Sequence, residues 1–86
     1  MSNIIIYTKD YCPYCVRAKN VFLRKGKEYV EIDITHDTAL QQEMVEKSGG
    51  RRTVPQIFIG ETHVGGADDL VALDKDGKLD ALLTSA

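Results

Sequence analysis

Residues 3–34 constrain the fold of this chain most. A nearly continuous apolar run, Ile4-Ile5-Ile6-Tyr7, lies within the strand pattern Asn3 to Thr8. Such a run suits a central strand buried on both faces. Cys12-Pro13-Tyr14-Cys15 follows and opens a helical segment running to Lys25. Cys12 takes the N-cap position, and Pro13 suits the first turn, where its missing N–H costs nothing. Cys15, Ala18 and Phe22 share one helical face, flanked by Val21; Val16 and Leu23 are expected to widen it. Gly26 ends the helix. Tyr29 to Ile34 then alternates, with Val30, Ile32 and Ile34 on one face, as in a half-covered or edge strand. Strand, helix and strand in this order make a βαβ unit, hence a parallel, right-handed pair.

The rest of the chain adds βα and hairpin signals. Thr38 with Gln41 predicts a capping box, Leu40 and Met44 share a face, and Gly49-Gly50 terminates the second helix. Gln56-Ile57-Phe58-Ile59 and Thr62-His63-Val64 flank Gly60-Glu61, a glycine-first two-residue turn, and read as a hairpin. Asp68 or Asp69 is expected to cap a third helix carrying Leu70, Val71 and Leu73, stopped by Gly77. Leu79, Leu82 and Leu83 form a short terminal helical turn. The order βαβαββα predicts an α/β fold: a four-stranded mixed sheet with helices on both faces.

At 86 residues one domain, 1–86, is expected. No apolar run approaches the length of a membrane span. The net charge of −2 argues against general nucleic-acid binding. Met1-Ser2-Asn3 lacks the basic start and long apolar stretch of an export signal. Two cysteines at redox spacing then fit a reducing compartment, so a cytoplasmic location is expected.

Cys12 and Cys15 are the only cysteines. At a strand-to-helix junction, this spacing suits thiol–disulfide exchange. The two sulfurs are close enough to close a small disulfide ring, and the helix N-terminus favours a thiolate, the attacking species. A structural disulfide fits less well, because one bridge is too few to staple a small secreted scaffold. Zinc fits less well too. His36 and His63 are far apart in sequence rather than separated by the roughly three to five residues of a zinc-finger histidine pair, so no metal site is expected.

Three motifs in order then carry a resemblance. Tyr7-Thr8-Lys9 stands before Cys12-Pro13-Tyr14-Cys15, Thr53-Val54-Pro55-Gln56-Ile57-Phe58-Ile59 follows, and Gly65-Gly66-Ala67-Asp68-Asp69-Leu70 closes the set. Along nearly all its length the chain resembles a glutaredoxin, most closely the short bacterial dithiol members of the third type. The resemblance implies a thioredoxin-like fold and glutathione as reducing co-substrate, with no bound cofactor. It departs at Ala67, where some relatives carry an extra cysteine.

The resemblance also implies roles. Cys12 is the nucleophile and Cys15, on the packed helix face, the resolving thiol. Lys9 meets the glycine-end carboxylate of glutathione, and Arg51 and Arg52 add positive potential. Val54 presents its backbone to the glutathione cysteine across a cis Val54–Pro55 bond, beside Thr53. Gly66 allows close backbone approach, and the third helix start, with Asp68 and Asp69, takes the γ-glutamyl end, Asp69 facing the ammonium. Tyr14 either packs beside the tripeptide or is a plain exposed aromatic. Lys19 either extends its ammonium to solvent or lends charge to the thiols. The partners implied are glutathione and glutathionylated or disulfide-containing proteins, with ribonucleotide reductase a family-level possibility, and the chain is expected to be a monomer. Two other readings stand beside this one: an iron–sulfur cluster carrier ligated by Cys12 and glutathione, and an electron donor served by thioredoxin reductase. Pro13 argues against the first. Lys9, Thr53 and Asp69 argue against the second.

Overall fold

The computed structural model describes residues 3–85. The reading of Met1-Ser2 lies outside them. The elements run β1 (Ile4–Thr8), α1 (Pro13–Arg24), β2 (Val30–Asp33), α2 (Thr38–Lys47), β3 (Gln56–Ile59), β4 (Thr62–Gly65), α3 (Ala67–Lys75) and α4 (Lys78–Ser85). The sheet order is β2-β1-β3-β4. β1 pairs parallel with β2, Ile6 opposite Glu31, and antiparallel with β3, Ile6 opposite Ile57. β3 and β4 form the expected hairpin, with Ile59 opposite Thr62. This is the four-stranded mixed sheet expected from the order of the elements, and it agrees with the thioredoxin-like fold that the resemblance implies. Among the described residues, no helix is long and apolar enough to cross a membrane.

The alternation along β1 explains why both sheet faces are covered. Ile4 and Ile6 face one side and join Ala18, Val21 and Phe22 of α1, Ile57 and Ile59 of β3, Ala67 and Leu70 of α3, and Leu79 and Leu83 of α4. Ile5 and Tyr7 face the other, where Tyr7 packs with Ile34, Met44 of α2 and Phe58. The Tyr7 ring meets Phe58 edge-on at 5.8 Å, and its hydroxyl donates to Glu43 Oε2 at 2.8 Å. Each buried large side chain of this kind contributes roughly 1.5–3 kcal/mol. Lys25, at the C-cap of α1, clasps Asp74 of α3 at 2.8 Å and Asp80 of α4 at 2.9 Å.

Four local expectations change. Val16 and Leu23 are exposed rather than packed, so the buried stripe of α1 is Cys15, Ala18, Val21 and Phe22. The cap of α2 is Asp37, whose carboxylate accepts from Leu40 N at 3.0 Å; Gln41 instead donates to the Ile34 carbonyl. Asp37 wins because its residue is extended and its short carboxylate reaches the third N–H of the helix. α3 is capped at Gly66, with Asp69 reaching back to Gly66 N at 2.9 Å, so neither aspartate is itself the N-cap. The terminal helical turn is a two-turn helix, α4.

Candidate functional site

The end of β1 delivers the chain to the start of α1 through Lys9–Tyr11. Tyr11 has φ +55 and its side chain lies wholly in solvent. Positive φ is costly for a residue with a Cβ, so the backbone here is set by the turn and not by Tyr11. Cys12 follows as the N-cap, and its sulfur takes the place of the usual capping oxygen: Cys15 N–H donates to Cys12 Sγ at 3.2 Å. The free N–H groups of a helix start favour negative charge there. Cys12 is half-buried and Cys15 is only 2% exposed, and both are free thiols. Outer access and inner burial thus separate them within one helical turn.

Burial pushes the Cys15 thiol up to about 12, helped by its hydrogen bond with Cys12; the Lys9 N–H and the charge of Lys19 pull the other way. A buried sulfur in apolar surroundings resists ionisation. Cys15 therefore waits as a neutral thiol while Cys12 meets solvent.

Opposite Cys12 lies the loop before β3. The Cys12 thiol donates to the Val54 carbonyl at 3.8 Å, and the Val54–Pro55 peptide is cis. Gln56, wholly buried, braces this loop: its Nε2 donates to Thr53 O at 3.0 Å and lies 3.3 Å from Thr53 Oγ1. Its Oε1 lies 2.7 Å from His63 Nε2. With the amide fixed by Thr53, His63 is the donor in that contact. Burial, and then the Arg51 charge, lower the pKa of His63. Sequence reasoning gives Gln56 no role of its own; a polar Gln at the head of an otherwise apolar strand is the signal that would mark such a brace.

Tyr14, Arg51, Thr53, Val54, Pro55, Gly66, Asp68 and Asp69 line one cleft of about 250 Å³. Seven of the eight glutathione-site residues named from the sequence thus meet around one space. Lys9 does not line it. Lys9 borders two other hollows, one shared with Arg52 and one with Cys12 and Cys15. Arg51 gains a definite place: its Nη1 stands 3.2 Å from Asp69 Oδ2. The same oxygen accepts from Gly66 N, and this backbone bond, then Arg51, holds the Asp69 carboxyl below the ordinary carboxylate range. Gly65, φ +114, lies directly under the pair, where a Cβ would overlap the Asp69 carboxylate. The cleft offers an open backbone edge at Val54, two carboxylates, a guanidinium and a helix start. Those are the groups that recognise a small zwitterionic peptide bearing both an ammonium and carboxylates.

The comparisons with known proteins agree with this geometry. A family model described as Glutaredoxin matches residues 4–64. A glutaredoxin of Pseudomonas aeruginosa is 53% identical, over 99% of this chain and 100% of its own length. Glutaredoxin 3 of Escherichia coli is also 53% identical, over 96% of this chain and 99% of its own. A crystal structure of a buckwheat glutaredoxin–glutathione complex superimposes with a TM-score of 0.87 at 36% identity, covering 96% of this chain and 77% of that one.

Proposed function

We propose a two-branched chemistry for this chain, which belongs to the glutaredoxin family of glutathione-dependent thiol–disulfide oxidoreductases. In one branch, the Cys12 thiolate attacks the glutathione sulfur of a protein–glutathione mixed disulfide. The protein thiolate leaves, and a second glutathione then attacks the glutathione sulfur bound to Cys12, releasing glutathione disulfide and restoring Cys12. In the other, Cys12 attacks a protein disulfide and Cys15 attacks Cys12 in turn. The substrate departs as a dithiol, and two glutathiones reduce the Cys12–Cys15 bridge.

The observation that carries this reading is the seat of Cys12. Its sulfur caps α1, 3.2 Å from Cys15 N, and faces the Val54 carbonyl at the cleft edge. Glutathione is read as lying in that cleft, its cysteine antiparallel to Val54. Its γ-glutamyl carboxylate meets the start of α3 at Gly66, and its ammonium meets Asp69, with Asp68 beside it. Thr53, Pro55 and Tyr14 flank the tripeptide. Lys9, outside the cleft, serves the glycine-end carboxylate where the tripeptide extends past Cys12.

We further read the chain as one domain acting as a monomer in the cytoplasm on glutathionylated or disulfide-containing proteins, among which a ribonucleotide reductase is a candidate. It needs no resident cofactor. Pro13 fixes its own φ at the helix start, and the neighbouring Cys15 competes for Cys12, so disulfide closure is favoured over a glutathione-ligated cluster. Anaerobic reconstitution with iron, sulfide and glutathione should leave the protein colourless; a stable brown dimer would promote the cluster-carrier reading.

The direct test is a coupled assay of a glutathionylated substrate with glutathione, glutathione reductase and its nicotinamide donor. Cys12→Ser should abolish turnover. Cys15→Ser should keep deglutathionylation and lose most reduction of protein disulfides. Equal losses by both variants in both assays would refute the division of roles.

A further inference from the structure

Lys19 plays no part in the chemistry above, yet it stands beside it. It lies one helical turn after Cys15 on α1, where residues four apart are neighbours. Its side chain is 25% exposed, and its Nζ stands 3.1 Å from Glu31 Oε2 on β2. The same Glu31 oxygen accepts from the buried Thr8 hydroxyl at 2.8 Å. Glu31 is thereby tied to β1, and Lys19 is tied to Glu31. Cys12, Cys15, Lys19 and Glu31 all line one hollow of about 480 Å³ that shares no residue with the cleft at Val54 and Asp69.

The resolving step poses an electrostatic difficulty at this place. Cys15 is 2% exposed, and a buried thiolate without a compensating charge is unfavourable. The titratable groups around the hollow are Lys9, Asp10 and Tyr11 of the loop, Cys12 at the cap of α1, Lys19 of α1, and Glu31 and Asp33 of β2. The three carboxylates oppose a thiolate. Lys9 presents its backbone N–H to Cys15, and Lys19 is the side-chain cation whose charge draws the Cys15 thiol down.

We propose that Lys19 is a positioning residue of the resolving step: its ammonium, tethered by Glu31 and Thr8, stabilises the Cys15 thiolate as it attacks Cys12. The inference rests on the two-thiol chemistry proposed above. The step balances as follows. Cys15 gives its proton to solvent in the hollow, and its sulfur lone pair forms the bond to Cys12 Sγ. The bond between Cys12 and the substrate sulfur breaks, and its electron pair leaves with that sulfur as a thiolate, which takes up a proton. Cys15 is oxidised and the departing sulfur reduced. Lys19 keeps its protons throughout. Glu31 acts only as a tether, and its own charge works against the thiolate.

The experiment mixes the reduced protein with excess glutathione disulfide, quenches in acid, alkylates and resolves the products by mass. The Cys12–glutathione adduct and the Cys12–Cys15 disulfide are then followed separately from about pH 6 to about 10, on the acid side of the raised Cys15 value. Lys19→Met should slow conversion of the adduct to the disulfide about tenfold more than it slows adduct formation. Below the raised Cys15 value the rate of that step climbs with pH, and Lys19→Met should displace this rising limb up by about one pH unit, since one unit corresponds to a tenfold change. Lys19→Arg should restore both. Glu31→Gln, which keeps an acceptor for Lys19 but removes the opposing charge, should convert at least as fast as the parent, with the rising limb displaced down in pH. Parental conversion by Lys19→Met would overturn the proposal. So would equal slowing by Lys19→Met and Glu31→Gln, which would mark the pair as a brace between α1 and β2. Failure of the parent to form the adduct would instead remove the two-thiol chemistry itself.

Discussion

Gly65→Ala is the sharpest test of how the cleft is built. Gly65 is buried with φ +114, a region occupied almost only by glycine. Holding another residue there costs about 1–3 kcal/mol. The added Cβ would also overlap the Asp69 carboxylate and stand 2.8 Å from Arg51 Nη1. Asp69 would have to move, losing its bond to Gly66 N and its pair with Arg51. Loss of the cap costs about 1 kcal/mol. The ion pair adds only a few tenths (~0.2–0.5 kcal/mol), because the two side chains are 45% and 50% exposed and solvent screens them. The sum is about 2–4 kcal/mol, which lowers the melting temperature of a domain this size on the order of 10–30 °C. Gly49→Ala supplies the comparison: φ is +72 there, and an added Cβ meets nothing within 4 Å. It should cost only the backbone term, about 1–2 kcal/mol. Thermal melts of both variants and the KM for a glutathionylated peptide decide the matter. Gly65→Ala should lose more stability and raise KM, while Gly49→Ala should leave KM near the parent's. Equal destabilisation with KM unmoved in both would refute the claim that Gly65 exists to seat Asp69 at the cleft.

Asp69→Asn keeps an acceptor for Gly66 N but removes the charge offered to the ligand ammonium. It should raise KM for the glutathionylated substrate by roughly tenfold or more, from a charge-assisted contact worth about 1.5–3 kcal/mol, with little change in kcat; a shift under about twofold would place the ammonium elsewhere. His63, whose folded pKa is lowered by burial and Arg51, binds its proton more readily in the unfolded chain. Its contribution to stability is therefore full above the unfolded value of about 6.5 and is lost as pH falls through the folded one. Denaturant titrations from pH 8 to 5, a range taken as roughly bracketing that value, should show stability declining on the acid side and His63→Gln flattening the decline. Tyr7→Phe removes the hydrogen bond to Glu43 and should cost about 0.5–1.5 kcal/mol by the same titration, with turnover unchanged because Tyr7 does not line the cleft; a drop in turnover would mean that α2 reaches the site.

Much of this architecture is legible in the residues because periodicity reports burial. The run Ile4–Tyr7 reads as a two-sided central strand, and the structure covers it on both faces. The turn Gly60-Glu61 sets the pairing of Ile59 with Thr62 and Phe58 with His63, and an irregularity between Phe58 and Ile57 then shifts the register to Gly65. What escapes is whatever depends on which of two neighbouring, chemically similar groups gets there first. Asp37 and Thr38 are both capping residues, and only the backbone angle at Asp37 decides between them. Val16 and Leu23 extend the apolar stripe in the sequence, but among the described residues both stay exposed, so the packed stripe is narrower than the apolar one. Arg51 and Arg52 are adjacent in sequence and part company in space, one to the cleft and the other to the hollow beside Lys9. Their separation follows from the turn held by the Ser48 hydroxyl, which accepts from Arg51 N at 3.1 Å. No linear pattern encodes it.

The uneven covering of the two sheet faces has a dynamic consequence. α1, α3 and α4 share one continuous apolar mass, whereas α2 rests on the smaller group around Tyr7, Ile34, Met44 and Phe58. Protection of backbone amides against hydrogen–deuterium exchange follows such differences, because local opening exposes only the surface an element covers. Backbone amides of α2 should therefore exchange before those of α1. The two thiols ride on the better-protected side. Opening of the opposite face should then leave the spacing between Cys12 and Cys15 unchanged, so that repeated cycles of bond making and breaking act on the better-packed side of the frame.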